Sequence, residues 1–387
     1  MADKFQGLGQ ASLSWSGLPF WQGPQETPGI PKHYPFNLTV HPDGYVAQTD
    51  AGGKMAEVVA NYADLNYGFI TAPPGTSNWG TELGEGKRRT LERFVGGLGG
   101  LRILEIGGGN LFLASMLRRE HAIARYVAID PTLKMWPENA NAEVLRTYFP
   151  CLELAGEHFD LVIAHNCLEH IPDTMGFLTA IRDVLAPSGR AFLTFPDVAR
   201  QFADGDLNAI LHEHFVYLDE PSARVLFARS GLAVAQWESG ADLASCLLAH
   251  AVPGTGPSPE VGGAAAALLA KGVEGFCIHL PRSVAALAKD LDAGRKVAFY
   301  GATNGLNNLL DMTGIGCDVP IMDGDRAKHG RFLPAGQFPI RWVGEADPAK
   351  FEKIFVTAGS FQSAIIRALT EAYAVPRDRI TGLFRCN

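Results

Sequence analysis

The sequence predicts an α/β protein: a doubly wound parallel-sheet unit, a second and smaller unit of the same kind, and a short arm before them. Three observations carry this. RILEIGGGN (102–110), LFLASMLRRE (111–120) and RYVAID (125–130) read as strand, glycine turn, helix and strand. FDLVIAH (159–165) and RAFLTFP (190–196) are continuous apolar runs, as expected of parallel strands covered on both faces. KVAFYGATNGLNNLL (296–310) then repeats the pattern of strand, glycine turn and helix.

In chain order, residues 1–84 form the arm. FNLTV (36–40) and YVAQT (45–49) flank the turn His41-Pro42-Asp43-Gly44 and predict a hairpin, whereas residues 61–84 read as a loop. Residues 85–252 form the first α/β unit. It has a leading helix at 86–98, helices at about 110–120 and 173–186, a Pro187-Ser188-Gly189 turn, a helix at 220–230 and strands at 233–238 and 243–251. Residues 253–293 begin with a Pro/Gly linker and continue as two helical stretches, 264–279 and 281–293. Residues 294–387 form the second α/β unit, with strands at 296–301, 319–323, 353–359 and 380–384 and a helix from about 304.

Composition narrows the function. A formal net charge of −8 argues against a nucleic-acid surface. No apolar run approaches the ~18 residues of a membrane span. The N-terminal stretch has no charged region leading into an apolar core, so no signal peptide is expected. The 6 cysteines are scattered without a C-x-x-C pair, which fits a reducing, cytoplasmic setting. Cys167 reads as a packed small hydrophobe.

The first glycine turn implies an adenosine-bearing cofactor. Gly107 and Gly109 match the start of G-x-G-x-x-G, but Phe112 holds the third position and weakens a dinucleotide. Glu105 can act through water or backbone on the ammonium group of S-adenosylmethionine, and Asp130 can accept ribose hydroxyls. His165 and Asn166 end the next strand on the same crevice. ILHEHFVYL (210–218) places two histidines around a glutamate. H-x-H can ligate zinc, but no third ligand with suitable spacing is evident, so no metal is expected.

ILEIGGGN, AIDP, HNCLEHIPD and LAPSGRAFLTFP together resemble the successive motifs of class I S-adenosylmethionine-dependent methyltransferases over residues 85–250. HEHFVYL, YGATNGLNNLL and IMDGDRAKHGRFLPAGQFPI resemble the sugar C-methyltransferases, which methylate C3 of nucleotide-linked 4-keto-deoxysugars. The resemblance implies a Rossmann-like methyltransferase core followed by a Rossmann-like C-terminal domain that contacts the substrate nucleotide. It implies S-adenosylmethionine held by Glu105, Gly107, Gly109, Asp130, His165 and Asn166. His214 matches the catalytic base, Glu213 its acidic neighbour, His170 a histidine that stabilises an enolate oxygen, and Tyr67 an N-terminal tyrosine. Tyr217, Asn304, Asp323 and Lys328 are the implied substrate contacts, with Arg331 a further phosphate candidate. Two departures stand out. The family's N-terminal zinc cysteines are absent here, since no cysteine precedes Cys151, so no zinc is expected. Leu211 stands where a tyrosine is usual, which leaves a different nucleotide-sugar, or a metabolite methylated on nitrogen or oxygen, as the alternative acceptor.

Overall fold

The structure, a computed structural model, describes residues 12–20, 23–29, 32–49, 78–132, 141–196, 198–239, 244–251 and 263–384. Three sheets organise them.

The central sheet runs Leu232–Ser239, Ala244–Ala251, Leu185–Pro196, Phe159–His165, Arg102–Ile106, Arg125–Ile129, Glu143–Leu145. Its inner pairs are parallel, and Ala244–Ala251 is antiparallel to both its neighbours. The continuous apolar runs supply both faces. Leu104, Val127, Val162 and Leu193 pack with Phe177, Leu178 and Leu226 on one side. Ile103, Tyr126, Leu161 and Phe192 pack with Leu91, Leu113 and Leu117 on the other. The leading helix starts earlier than expected, at Asn78–Val95. The Pro187-Ser188-Gly189 turn proves to be an irregularity inside the strand Leu185–Pro196, where the register slips against Phe159/Leu161.

The C-terminal sheet is wholly parallel, in the order Arg341–Trp342, Ile321–Asp323, Val297–Tyr300, Lys353–Val356, Ile380–Gly382. The order reverses between Val297–Tyr300 and Lys353–Val356, where open α/β sheets place a ligand.

The arm holds more structure than the one hairpin. Ser12–Pro19, His33–Val40 and Val46–Thr49 form an antiparallel sheet, and its fourth strand is Val216–Tyr217 from the histidine segment. Trp15, Phe36 and Leu38 lie in one core with Phe202, Tyr217, Phe276, Phe299 and Leu306, so the arm and the C-terminal unit share apolar packing. Gln25 and Phe332 exchange main-chain hydrogen bonds of 2.8 and 2.7 Å, and His33 Nε2 meets the Asp311 carboxylate at 2.9 Å. The expected interruption between the two helical stretches is instead a π-turn at Gly275–His279. There the Leu280 N–H bonds Gly275 O, so Pro281 enters without stopping the chain. The helix Gly263–Asp292, 30 residues long, is apolar and long enough to cross a membrane. Its stripe Leu268, Leu269, Phe276, Leu280, Val284 and Leu287 is already spent in the shared core. A Cβ at Gly275 would overlap Phe202 O, and only glycine lets the helix Val198–Asp204 approach this closely.

Trp15→Ala should lower stability by ~3–5 kcal/mol, the usual cost of emptying a tryptophan site. Because Trp15 is 1% exposed in that shared core, the main urea transition should move to lower urea. An unmoved main transition would mean that the arm packs independently.

Candidate active site

The glycine turn sits at the carboxyl end of Arg102–Ile106. Gly107 and Gly109 have φ of +77° and +54°, and Leu111, also left-handed at +58°, leads into the helix Phe112–Glu120. Among the described residues, and leaving out its chain neighbours, no heavy atom lies within 4 Å of a Cβ built at Gly109, so the turn is open there, while a Cβ built at Gly107 would lie 3.5 Å from the Cys167 side chain. Burial pushes the Cys167 thiol well up, and it acts as packing. Asp130 Oδ2 accepts from the Gly109 N–H at 2.8 Å, and Oδ1 accepts from Thr132 N and Oγ1 at 2.7 Å each. Of the roughly four lone-pair positions on a carboxylate, one on Oδ2 remains for a ribose hydroxyl.

Glu105, 4% exposed, accepts from the Tyr126 hydroxyl at 2.8 Å. Burial raises its carboxyl to about 7, opposed by that hydrogen bond. His165 and Asn166 follow the adjacent strand. His165 Nδ1 meets Thr194 Oγ1 at 3.2 Å, while its buried Nε2 has no hydrogen-bond partner. Asn166, in the left-handed region at φ +48°, donates to Glu169 Oε1 at 3.3 Å, leaving the buried Glu169 Oε2 unmet. An open glycine turn, a partly satisfied acid and two unmet buried polar atoms fit a polar, cationic adenosine ligand such as S-adenosylmethionine.

Across the crevice, His170 and His214 pack edge to face with ring centroids 4.9 Å apart. His170 Nδ1 lies 2.9 Å from Glu213 O. A carbonyl only accepts, so Nδ1 carries the proton and Nε2 of the neutral ring keeps its lone pair. Burial lowers His170 to about 4, and burial together with His170 holds His214 well below its ordinary value. Both rings are therefore neutral near pH 7. In this tautomer the His170 ring offers a lone pair, and not a proton, at Nε2. Burial likewise raises Glu169 to about 7. The ligand atoms of Glu169, His170 and His214 lie within 4.8 Å of one another. Only His214 of the H-x-H pair belongs to this group; Glu169 and His170 come from another strand end, which H-x-H spacing could not reveal.

The first histidine of HEH is structural. His212 Nε2 meets Tyr34 O at 3.3 Å, and its ring lies edge-on to Phe20, Tyr34 and Phe36. Tyr217 is fully buried against Phe36 and Phe202 and donates to Leu211 O at 3.3 Å, so it is not placed as a substrate contact. Asn304 is also inward, donating to Leu207 O and Ile210 O at 3.3 and 2.8 Å. Asp323 and Lys328 pair with each other at 3.0 Å and with Ala302 N and O, so both serve the Gly301 turn. Tyr67 lies outside the described residues.

Residues 80–236 match the methyltransferase-domain family, and residues 278–376 match the C-methyltransferase C-terminal domain. The C-methyltransferase NovU of Streptomyces niveus is 28% identical over 237 residues, 57% of this chain and 54% of that protein. A ubiquinone biosynthesis O-methyltransferase of Dinoroseobacter shibae is 35% identical over 96 residues, 23% of this chain and 39% of that protein. The chain thus matches about half or less of these relatives' length. Among solved structures, Burkholderia thailandensis 1,6-didemethyltoxoflavin-N1-methyltransferase, with S-adenosylhomocysteine bound, aligns at TM-score 0.40 and 18% identity, over 56% of this chain and 96% of that chain. The sheet order, the glycine turn and the first of these matches define a class I S-adenosylmethionine-dependent methyltransferase fold. The second match narrows this, since the chain joins that core to a segment similar to the C-methyltransferase C-terminal domain.

The positive charge of the ligand will favour ionised Glu105. S-adenosylmethionine binding should therefore release protons near neutrality and tighten between about pH 6 and pH 8. Calorimetry in buffers of different ionisation enthalpy measures both effects. Glu105→Gln should abolish most of the proton release, and release unchanged in that variant would move the effect to Glu169. Asp130→Ala should weaken binding ~10–100-fold, the loss expected for charge-assisted hydrogen bonds.

Proposed function

We propose that the protein methylates carbon in a nucleotide-linked keto-deoxysugar, with His214 as the base that removes the proton beside the carbonyl. The observation that carries this is the buried, neutral His170–His214 pair beside the cofactor crevice. Carbon becomes nucleophilic only when such a proton is removed, and a neutral imidazole in a dry pocket is a competent acceptor near pH 7. The similarity to NovU, a C-methyltransferase, and the match to the C-methyltransferase C-terminal domain support the acceptor class.

Bound S-adenosylmethionine supplies the electrophilic methyl group. Asp130 and the Gly107–Gly109 turn would hold its ribose and amino-acid parts, and Glu105 would balance its charge. In the free protein His170 Nε2 is an acceptor. His214 takes the carbon-bound proton and becomes the single cation of the pair, while the neutral His170 ring, its Nδ1–H held by Glu213 O, lines the same pocket. Glu213 fixes the His170 ring through its carbonyl, and Leu211 lies buried in the shared apolar core.

His214→Asn should abolish turnover of a panel of nucleotide-linked 4-keto-deoxysugars while calorimetric S-adenosylmethionine affinity stays within about two-fold, since general-base catalysis contributes ~10²–10⁴-fold. Retained turnover would sink the base assignment. NMR of the product identifies the acceptor atom, and a new methyl on nitrogen or oxygen would select the alternative reading. A chelator should leave turnover unchanged; loss restored by added zinc would make Glu169, His170 and His214 a metal centre instead.

A further inference from the structure

The C-terminal sheet has a ligand crevice where its strand order reverses, between the turn after Val297–Tyr300 and the turn after Lys353–Val356. Residues 206–208 of the first unit occupy it. Asn208 Oδ1 accepts from the Gly305 N–H at 2.9 Å, at the start of the helix Asn304–Thr313, where a phosphate would be cradled. Asn208 Nδ2 donates to Thr357 O at 2.8 Å, across the crevice. A Cβ on Gly305 would lie 2.7 Å from Asn208, and one on Gly359 would overlap the Asp206 carboxylate. The two glycines that would leave room for a nucleotide leave room for this segment instead.

The helix then grips the next residues. Asn304 Nδ2 reaches Leu207 O and Ile210 O at 3.3 and 2.8 Å, and Asn308 Nδ2 reaches the same two carbonyls at 3.4 and 3.1 Å. Asn304 is 6% exposed and Asn308 1%. Leu207 and Ile210 are buried as well, so the asparagine amides are the donors that meet these carbonyls and determine where the segment lies. Ile210 is four residues before His214, and the His214 N–H bonds Leu211 O at 3.0 Å, so the grip passes directly into the histidine turn.

We infer that the C-terminal domain has given its nucleotide crevice to Asp206–Asn208 of the methyltransferase domain, and that Asn208, Asn304 and Asn308 are positioning residues for His214. The nucleotide of the acceptor is then recognised elsewhere. The positioning role rests on His214 being the base; the occupied crevice does not.

The test uses the full chain with Asn304→Ala/Asn308→Ala, and separately Gly305→Ala, which displaces Asn208 while keeping every side-chain donor. Hydrogen exchange should rise about 10-fold or more across residues 207–217, the scale expected when buried carbonyls lose their donors. S-adenosylmethionine affinity should stay within about two-fold. In histidine-labelled protein the His214 imidazole should titrate closer to its ordinary value as water reaches it. With the keto-deoxysugar panel as acceptor, kcat should fall about 10-fold or more while KM changes little. Asn304→Gln, which keeps the amide donor, should recover part of kcat. Unchanged exchange at 207–217 in both variants would overturn the clamp. So would protection of residues 301–305 and 357–359 in the wild-type protein by uridine diphosphate. Raised exchange with unchanged kcat would leave the occupied crevice standing and defeat the positioning role, whereas the base assignment itself stands or falls with His214→Asn.

Discussion

The segment from Gly205 to Leu218 is buried yet forms almost no regular structure with itself. Its main-chain donors and acceptors must therefore be met by other parts of the chain. Three sheets meet them. The N-terminal sheet takes Val216–Tyr217 as a strand, and Gln48 N bonds Phe215 O at 3.0 Å. The central sheet contributes Glu169 O, which accepts from Phe215 N at 2.6 Å, and His170, which bonds Glu213 O. The C-terminal domain holds Leu207 O and Ile210 O through two asparagines. The candidate base therefore has a defined position only because all three units are assembled around it. This gives the arm a structural role: Trp15, Phe36 and Leu38 put it into the shared core.

The same burial sets the electrostatics. These side chains are buried, so their ionised forms are disfavoured in both directions. Glu105 and Glu169 rise to about 7, while His170 falls to about 4 and His214 falls well below its usual value. The result is a pocket of mostly suppressed charge beside Asp130, suited to a cationic ligand and to a base that must be neutral to work. A neighbouring imidazole reinforces this, because two adjacent rings resist both becoming positive.

Much of the fold and part of the site were legible in the sequence because they depend on local pattern. Continuous apolar runs mark parallel strands. The Gly107–Gly109 turn, the Asp-Gly hairpin and the helix from about 304 are short-range signals, each found within a residue or two. The strand Ser12–Pro19 lay hidden because Ser and Gly interrupt its alternation, and only its pairing with His33–Val40 makes it regular. The π-turn lay hidden because Pro281 reads locally as a break, while the packing of Gly275 against Phe202 keeps the helix continuous.

By itself, the sequence determined the α/β class and the strand and glycine-turn unit at Leu101–Asp130, which rest on residue type and short spacing; His214 was singled out by its resemblance to a family motif. Only the tertiary structure decided that Tyr217 and Asn304 face inward, that His170 starts as an acceptor, and that Glu169 joins the histidine pair. It alone decided that a nucleotide-fold crevice is filled by the chain's own Asp206–Asn208. These facts depend on which buried carbonyl meets which donor across distances of up to 149 positions in sequence, as between Asn208 and Thr357. No local pattern carries that information, because a buried polar group is satisfied by whatever the folded chain brings to it.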